Sequence, residues 1–286
     1  MTDVLEQLVE MLALERIEVN LFRGQTQDLG WGMVFGGHVL GQALSAVAQT
    51  VPEDRFVHSM HGYFLLPGDV DRPIVYDVDR IRNGGSFTTR RVKAIQNGEA
   101  IFNMSASFKV EEEGFEHQDE MPDVEGPEGL PSQTELARGI ADQIPEPLRE
   151  RFTAESPIEI RPIDPNNPLD PDKRPPESAA WYRASGSLPD ETPVHRYLLA
   201  YASDFNFLAT SMYPHGVSWL MPQMQVASLD HSMWFHRPFR FDEWLLHVVE
   251  SPSAAGARGL VRGRMFNQDG ELVALTAQEG LIREHS

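Results

Sequence analysis

The feature that most constrains this chain is that its second half repeats its first. His58-Ser59-Met60 recurs as His231-Ser232-Met233 at an offset of 173 residues, and the turn Asn97-Gly98 recurs as Asp269-Gly270 at 172. His38, at the head of an apolar helical stretch, recurs as His195 at an offset of 157, and the longer connector around 211–222 absorbs the difference. Three matches in one order mark an internal duplication. The repeated unit is a strand, a helix and about four further strands. In the first unit these are 17–25, the stretch after Phe35-Gly36-Gly37-His38, then 56–65, 73–82, 86–96 and 99–110. In the second they are 179–188, 194–208, 223–239, 243–252, 257–267 and 271–282. Asn-Gly and Asp-Gly between strand-like runs are the strongest short hairpin signals. The first helix carries Val39, Leu40, Ala43, Leu44, Ala46 and Val47 on nearly every face, so a sheet must wrap around it. The fold class that follows is α+β, with two antiparallel sheets each enclosing a helix.

The rest of the chain lies outside the repeat. Leu5, Leu8 and Leu12 predict a leading amphipathic helix, with Asp3 and Glu6 placed as a capping box. Residues 111–135 are acidic, rich in Pro and Gly and without hydrophobic period, which predicts a surface linker with a short helix after it. The prolines of 162–177 predict an irregular loop. The expected division is residues 1–110, an intervening segment 111–156, and residues 157–286.

Composition removes whole classes of function. With 24 basic and 43 acidic residues the net charge is −19, which argues against a nucleic-acid partner. The absence of cysteine removes disulfides, thiolate-bound metals and a cysteine nucleophile. No signal peptide and no long apolar stretch is visible, so a cytoplasmic protein without membrane insertion is expected. His58 and His61 have opposite strand parity, as do His231 and His236, so neither pair is suited to one metal ion. Core or hydrogen-bonded roles are expected for them, and no metal. Gly216-Val217-Ser218-Trp219-Leu220 lacks the final glycine of a nucleophile elbow.

Three polar residues stand where apolar ones belong. Asp204 follows a buried-looking helix, Ser228 sits within a strand-like run, and Gln278 shares strand parity with Ala274 and Ile282. A carboxylate, a hydroxyl and an amide form a set able to orient water, although each alone reads equally as a satisfied buried group or a cap. Gly36 and Gly37 either offer free N–H groups to an anion or carbonyl oxygen or permit close helix packing. Arg90, Arg91 and Lys93, with Arg258, Arg262 and Arg264, are the densest basic clusters. They read either as phosphate contacts or as solvated strand faces.

The segments FRGQ (22–25), VFGGHVLGQAL (34–44), LLPGD (65–69), YASDFNFL (201–208), LDHSMWFHRPF (229–239) and Gln278-Glu279-Gly280 resemble bacterial acyl-CoA thioesterase II along nearly the whole chain. The resemblance implies the double-hotdog fold and hydrolysis of acyl-CoA to free fatty acid and CoA, without metal or cofactor. It implies that Asp204, Ser228 and Gln278 hold the attacking water, Ser228 standing where relatives commonly carry Thr. Val47 and Ala106 lie near the matching places of the first repeat. For the CoA phosphates the candidates are Arg90, Arg91, Arg258 and Arg262, with Gly36 and Gly37 also in the binding set. The donors to the thioester carbonyl stay open between backbone N–H groups and the Gln side chain. A homodimer or homotetramer is the implied assembly. The competing readings are a hotdog hydratase or dehydratase and a non-catalytic acyl-CoA binding protein.

Overall fold

A computed structural model of the chain describes residues 2–146 and 148–285. In the first half, helix α1 (Asp3–Leu12) precedes β1 (Glu15–Glu18), β2 (Leu21–Gly24), α2 (Gly36–Ala48), β3 (Phe56–Phe64), β4 (Ile74–Asn83), β5 (Phe87–Gln96) and β6 (Glu99–Lys109). A middle stretch carries α3 (Gln133–Gly139) and α4 (Leu148–Thr153). The second half holds β7 (Ile158–Pro162), β8 (Glu177–Ala184), α5 (Thr192–Ala202), β9 (Met224–Ser228), β10 (Asp230–Phe235), β11 (Leu245–Ala255), β12 (Arg258–Asn267) and β13 (Leu272–Glu284). A 3₁₀ segment, Leu208–His215, follows α5.

The strands form one antiparallel sheet in the order β1-β2-β4-β5-β6-β3-β10-β13-β12-β11-β8-β7, with β9 added beside β13. Read outward from the centre, the two halves repeat each other strand for strand. They join through β3 and β10, where Met60 lies opposite Met233. Because these two residues are also the last members of the repeated His-Ser-Met triplets, the axis relating the halves passes between them. α2 and α5 lie against each other inside the sheet. At Gly37 an added Cβ would come within 2.1 Å of the Tyr201 carbonyl oxygen, and at Gly41 within 3.1 Å of that of Tyr197. The glycines therefore let two helix backbones touch. His38 and His195 do the same work in each half: one ring nitrogen reaches back to the carbonyl of Gln25 or Pro189 and ties the preceding segment to the helix.

Several local expectations are corrected. The strand expected over 17–25 is a hairpin, β1 and β2. The capping box at Asp3 and Glu6 does not form: Thr2 is the N-cap without a side-chain cap, and its hydroxyl pairs with Ser185 Oγ instead. The helix expected over 194–208 stops at Ala202, and Asn206 takes a positive φ of 58°. The run 223–239 breaks at Leu229 into β9 and β10. Finally, the acidic stretch after residue 110 is strapped to the outer face of the second half. Met121, Val124 and Leu130 pack on Trp181, Trp244, Leu246, Phe266 and Leu272. Gln118 bonds Gly270 O and Leu272 N, and Glu125 O accepts from Trp181 Nε1. Isolated apolar anchors hold this segment, so it needs no hydrophobic period.

Candidate active site

The early stop of α5 is what exposes the central acid. Ser203 is the C-cap, and Asp204 follows just beyond the helix end, half-buried in the wall of a cleft of about 1540 Å³. Gln278 comes from β13, whose inward positions include Ala274, Thr276, Gln278 and Gly280. Ser228 ends β9 opposite Gly280, and Leu229 N bonds Glu279 O as the strand shifts register. Asp230 Oδ1 accepts the Glu279 N–H at 2.7 Å, which pins this irregularity. A bulge-like break of this kind re-aims a side chain. Here it turns Ser228 Oγ to within 2.8 Å of Gln278 Nε2.

The three residues therefore converge. Desolvation raises the Asp204 carboxyl to about 7, while Gln278, the Gly37 backbone N–H and Ser228 pull it back down by hydrogen bonding. Such an acid is half-ionised near neutral pH and suited to exchange a proton with a bound molecule. Gly36 has no side chain for a local reason: a Cβ there would sit 2.6 Å from Asp204 Oδ2 and 3.1 Å from the Phe64 ring. The first turn of α2, where N–H groups lack helical partners, thus abuts the acid. Gly37 permits the close packing of the two helices, and Gly36 leaves room for Asp204 and Phe64.

The cleft is apolar for most of its length. Phe35 stacks on Phe205 at 4.4 Å, Trp31 lies 5.4 Å from Phe35, and Val39, Phe207 and Val249 line the wall. The middle segment closes one side through Ile140, Ile144 and Phe152, a role beyond that of a surface linker.

None of the four arginines expected at the CoA phosphates lines this cleft. Arg90 is a buried knot: its guanidinium donates to Thr50 Oγ1 and O, Asn83 Oδ1, Arg82 O and Thr89 O, with no donor left for a phosphate. Arg91, Arg258 and Arg262 are exposed and paired to Asp79, Glu279 and Glu250 respectively. The cations that do line the cleft are Arg138, Arg151 and Arg161. Arg161 is held by Glu159, whereas Arg138 and Arg151 have no carboxylate partner among the described residues. No strand pattern marks them, because Arg138 and Arg151 sit on the short helices α3 and α4. Ser218 donates to Pro168 O, and no hydrogen bond joins it to a histidine among the described residues. No group of three or more potential metal ligands is found among the described residues. No helix of the described residues is long and apolar enough to cross a membrane.

Gln278 and Asp204 have no counterparts in the first half. β5 Thr88 pairs with Phe108 as β12 Val261 pairs with Gln278, so Phe108 occupies the Gln278 place. Ala106, two residues before Phe108, matches Thr276, opposite Arg90 in one half and Gly263 in the other. Val47 holds the helical place of Asp204 at the offset set by His38 and His195.

Two helices enclosed by one doubled antiparallel sheet define a double-hotdog protein. A family described as "Acyl-CoA thioesterase" matches residues 147–281, and its N-terminal domain family matches residues 26–109. The chain is 48% identical over 283 residues to acyl-CoA thioesterase 2 of Haemophilus influenzae, covering 99% of both. It is 42% identical to human acyl-coenzyme A thioesterase 8, over 96% of this chain and 88% of that one. Among solved structures, acyl-CoA thioesterase II TesB2 from Mycobacterium marinum superposes with a TM-score of 0.79 at 41% identity, covering 98% and 99%. The chain belongs to the acyl-CoA thioesterase family.

Proposed function

We propose that this chain hydrolyses fatty acyl-CoA to free fatty acid and CoA by direct attack of a water molecule held between Asp204, Ser228 and Gln278. The observation that carries this reading is the convergence on one cleft wall of a carboxyl poised near 7 with a hydroxyl and an amide bonded to each other. Asp204 takes the proton of the water as its oxygen attacks the thioester carbon. The carbonyl oxygen gathers the charge, and the first-turn N–H of α2 at Gly36 is suited to receive it, that of Gly37 being donated to Asp204. Collapse expels the CoA thiolate, a good leaving group, and the acid returns its proton to the sulfur. No covalent acyl-enzyme forms, since no nucleophile is required.

The acyl chain occupies the apolar cleft, and Arg138 and Arg151 are the cations placed to meet CoA phosphates. The division at 110 and 156 is retained as part of this proposal, and limited proteolysis inside 111–132 tests it. The exposed outer strand β1 and the family relationship support a homodimer or homotetramer, which is proposed to act in the cytoplasm. A particle of only 32.2 kDa in light scattering would count against the assembly, and cell fractionation tests the location.

The test is thiol release from palmitoyl-CoA. Asp204→Asn lowers kcat by about a hundredfold to ten-thousandfold in a folded protein. Ser228→Ala and Gln278→Ala each impair turnover, and the double variant loses less than the product of the two losses, because the set acts as a unit. An acyl adduct on Ser228 in denaturing mass spectrometry, or a fully active Asp204→Asn protein, overturns the mechanism. No thiol release by the native chain would return the hydratase and binding-protein readings.

A further inference from the structure

The amide of Gln278 has two ends, and only one orientation serves the site. With Nε2 toward Ser228 and Asp204 it presents hydrogens to a hydroxyl and a carboxylate. Rotated by half a turn it would present Oε1 to that carboxylate and repel it. Free amides adopt either orientation, so something behind Gln278 must choose.

The residue behind it is His231. Its ring is fully buried in β10, with Nδ1 at 2.5 Å from Gln278 Oε1 and Nε2 at 3.0 Å from Ser203 Oγ. With Oε1, which can only accept, turned toward the ring, Nδ1 carries the hydrogen. Burial drives the ring's own ionisation down to about 4, so at neutral pH it holds one proton and Nε2 is an acceptor. Ser203, the C-cap of α5, has one hydroxyl hydrogen and two acceptors within reach of it: Ala200 O, to which it donates at 2.9 Å, and this nitrogen at 3.0 Å, which takes it when the hydroxyl rotates. Turned to Nε2, the hydroxyl fixes the tautomer. The Phe207 ring, 5.7 Å from His231, closes the site from the cleft side.

We propose that Ser203 and His231 are positioning residues of the hydrolytic site: Ser203 holds His231 as the Nδ1–H tautomer, and His231 locks the Gln278 amide with its NH₂ toward Ser228 and Asp204. The chain Ser203–His231–Gln278–Ser228 links the helix cap, the central strand and the β9 break through consecutive hydrogen bonds of 3.0, 2.5 and 2.8 Å. Neither Ser203 nor His231 touches substrate. This inference rests on the water-holding role of Gln278.

The test compares His231→Leu and His231→Asn in the native chain and in a Gln278→Ala background, following kcat and KM with palmitoyl-CoA. Leucine removes the donor, and asparagine offers an N–H near the Nδ1 position. His231→Leu should lower kcat on the order of tenfold to a hundredfold with KM little changed, since the amide loses its lock. His231→Asn should recover most of that loss. In the Gln278→Ala background, where there is no amide to orient, His231→Leu should change kcat by less than about threefold, an expectation of the non-additivity seen among coupled residues. If His231→Leu proves poorly folded by circular dichroism, Ser203→Ala, which removes one oxygen, takes its place in both backgrounds. Losses that multiply across backgrounds, or a native-like kcat in the donor-less variant, overturn the inference. If Gln278→Ala is itself fully active, the underlying water-holding reading fails, and that result is distinct.

Discussion

Asp204 should make the protein less stable as the pH rises, and the size of the effect follows from its surroundings. Its carboxyl ionises at about 7 in the folded chain, against 3.8 when freely hydrated. Below 3.8 both folded and unfolded chains hold the proton, so the group contributes no difference. Between 3.8 and 7 the unfolded chain releases its proton while the folded chain keeps it, and folding loses about 1.4 kcal/mol for each pH unit. Above 7 the loss levels off, at about 4 kcal/mol as an upper figure, because the half-buried side chain keeps some contact with the cleft. Asp204→Asn cannot ionise and should escape this loss. Measured against the native chain, the variant should gain about 2.5 kcal/mol in relative stability between pH 5 and pH 8, or roughly 5 °C in melting temperature for a chain of this size. Comparing two pH values for the same pair removes pH-independent packing changes, such as a rearranged hydrogen bond at the new amide. Thermal melts by circular dichroism at pH 5 and pH 8 supply the four numbers needed. The same acid should make kcat/KM rise with pH and level off above about 7, as the free enzyme's base loses its proton. A stability difference that stays constant from pH 5 to 8 would refute a desolvated Asp204, whatever the variant's activity.

Three further outcomes follow from the packing. Gly37→Ala forces a methyl group to within 2.1 Å of the Tyr201 carbonyl, so urea denaturation should show a loss of about 2–3 kcal/mol as the helices part. Arg90→Gln leaves several buried carbonyl acceptors without donors. It should cost on the order of 3 kcal/mol while leaving the KM for acyl-CoA unchanged, and a raised KM in a stable variant would contradict its structural role. Arg151→Gln should do the reverse, raising KM severalfold with the melting temperature held. An unchanged KM would leave Arg151 a solvated cation.

The elements with a clear period are legible in the sequence. Strands such as β5 and β6 alternate, the intervening Asn97 and Gly98 adopt the positive φ values that a tight hairpin requires, and α2 is apolar on all faces. Asp204, Ser228 and Gln278 stand out because polar groups in apolar surroundings need a reason to be there, and the structure brings all three to one point. What is not legible depends on contacts far along the chain. The residue types give little warning that α5 ends at Ala202, since no Gly or Pro follows at once and Phe205 and Phe207 continue the apolar pattern; the local marks are the Ser203 hydroxyl on Ala200 O and the positive φ of Asn206. Beyond that point Ser203 meets His231 of β10 and Asp204 meets Gln278 of β13, contacts that lie far along the chain. Arg90 escapes the sequence for a related reason. Charged residues crowd β5, and sequence alone does not reveal that one of them turns inward to Thr50 and Asn83. The cleft wall from the middle segment is invisible because Ile144 and Phe152 acquire meaning only when the segment folds back.

The Met60–Met233 contact has a consequence for stoichiometry. Two separate copies meeting across such an axis would be bound to carry every residue twice, each acid with an identical acid at the related place. Fusion into one chain lifts that obligation. At one pair of related places a five-bonded arginine fills the first half, while a glycine makes room for His247 and Thr276 in the second. The acid–amide set likewise exists once, with Val47 and Phe108 in the places a copy would occupy. A tight, slowly released substrate analogue should therefore saturate at one equivalent for each 32.2 kDa of protein, in any assembly the chain adopts.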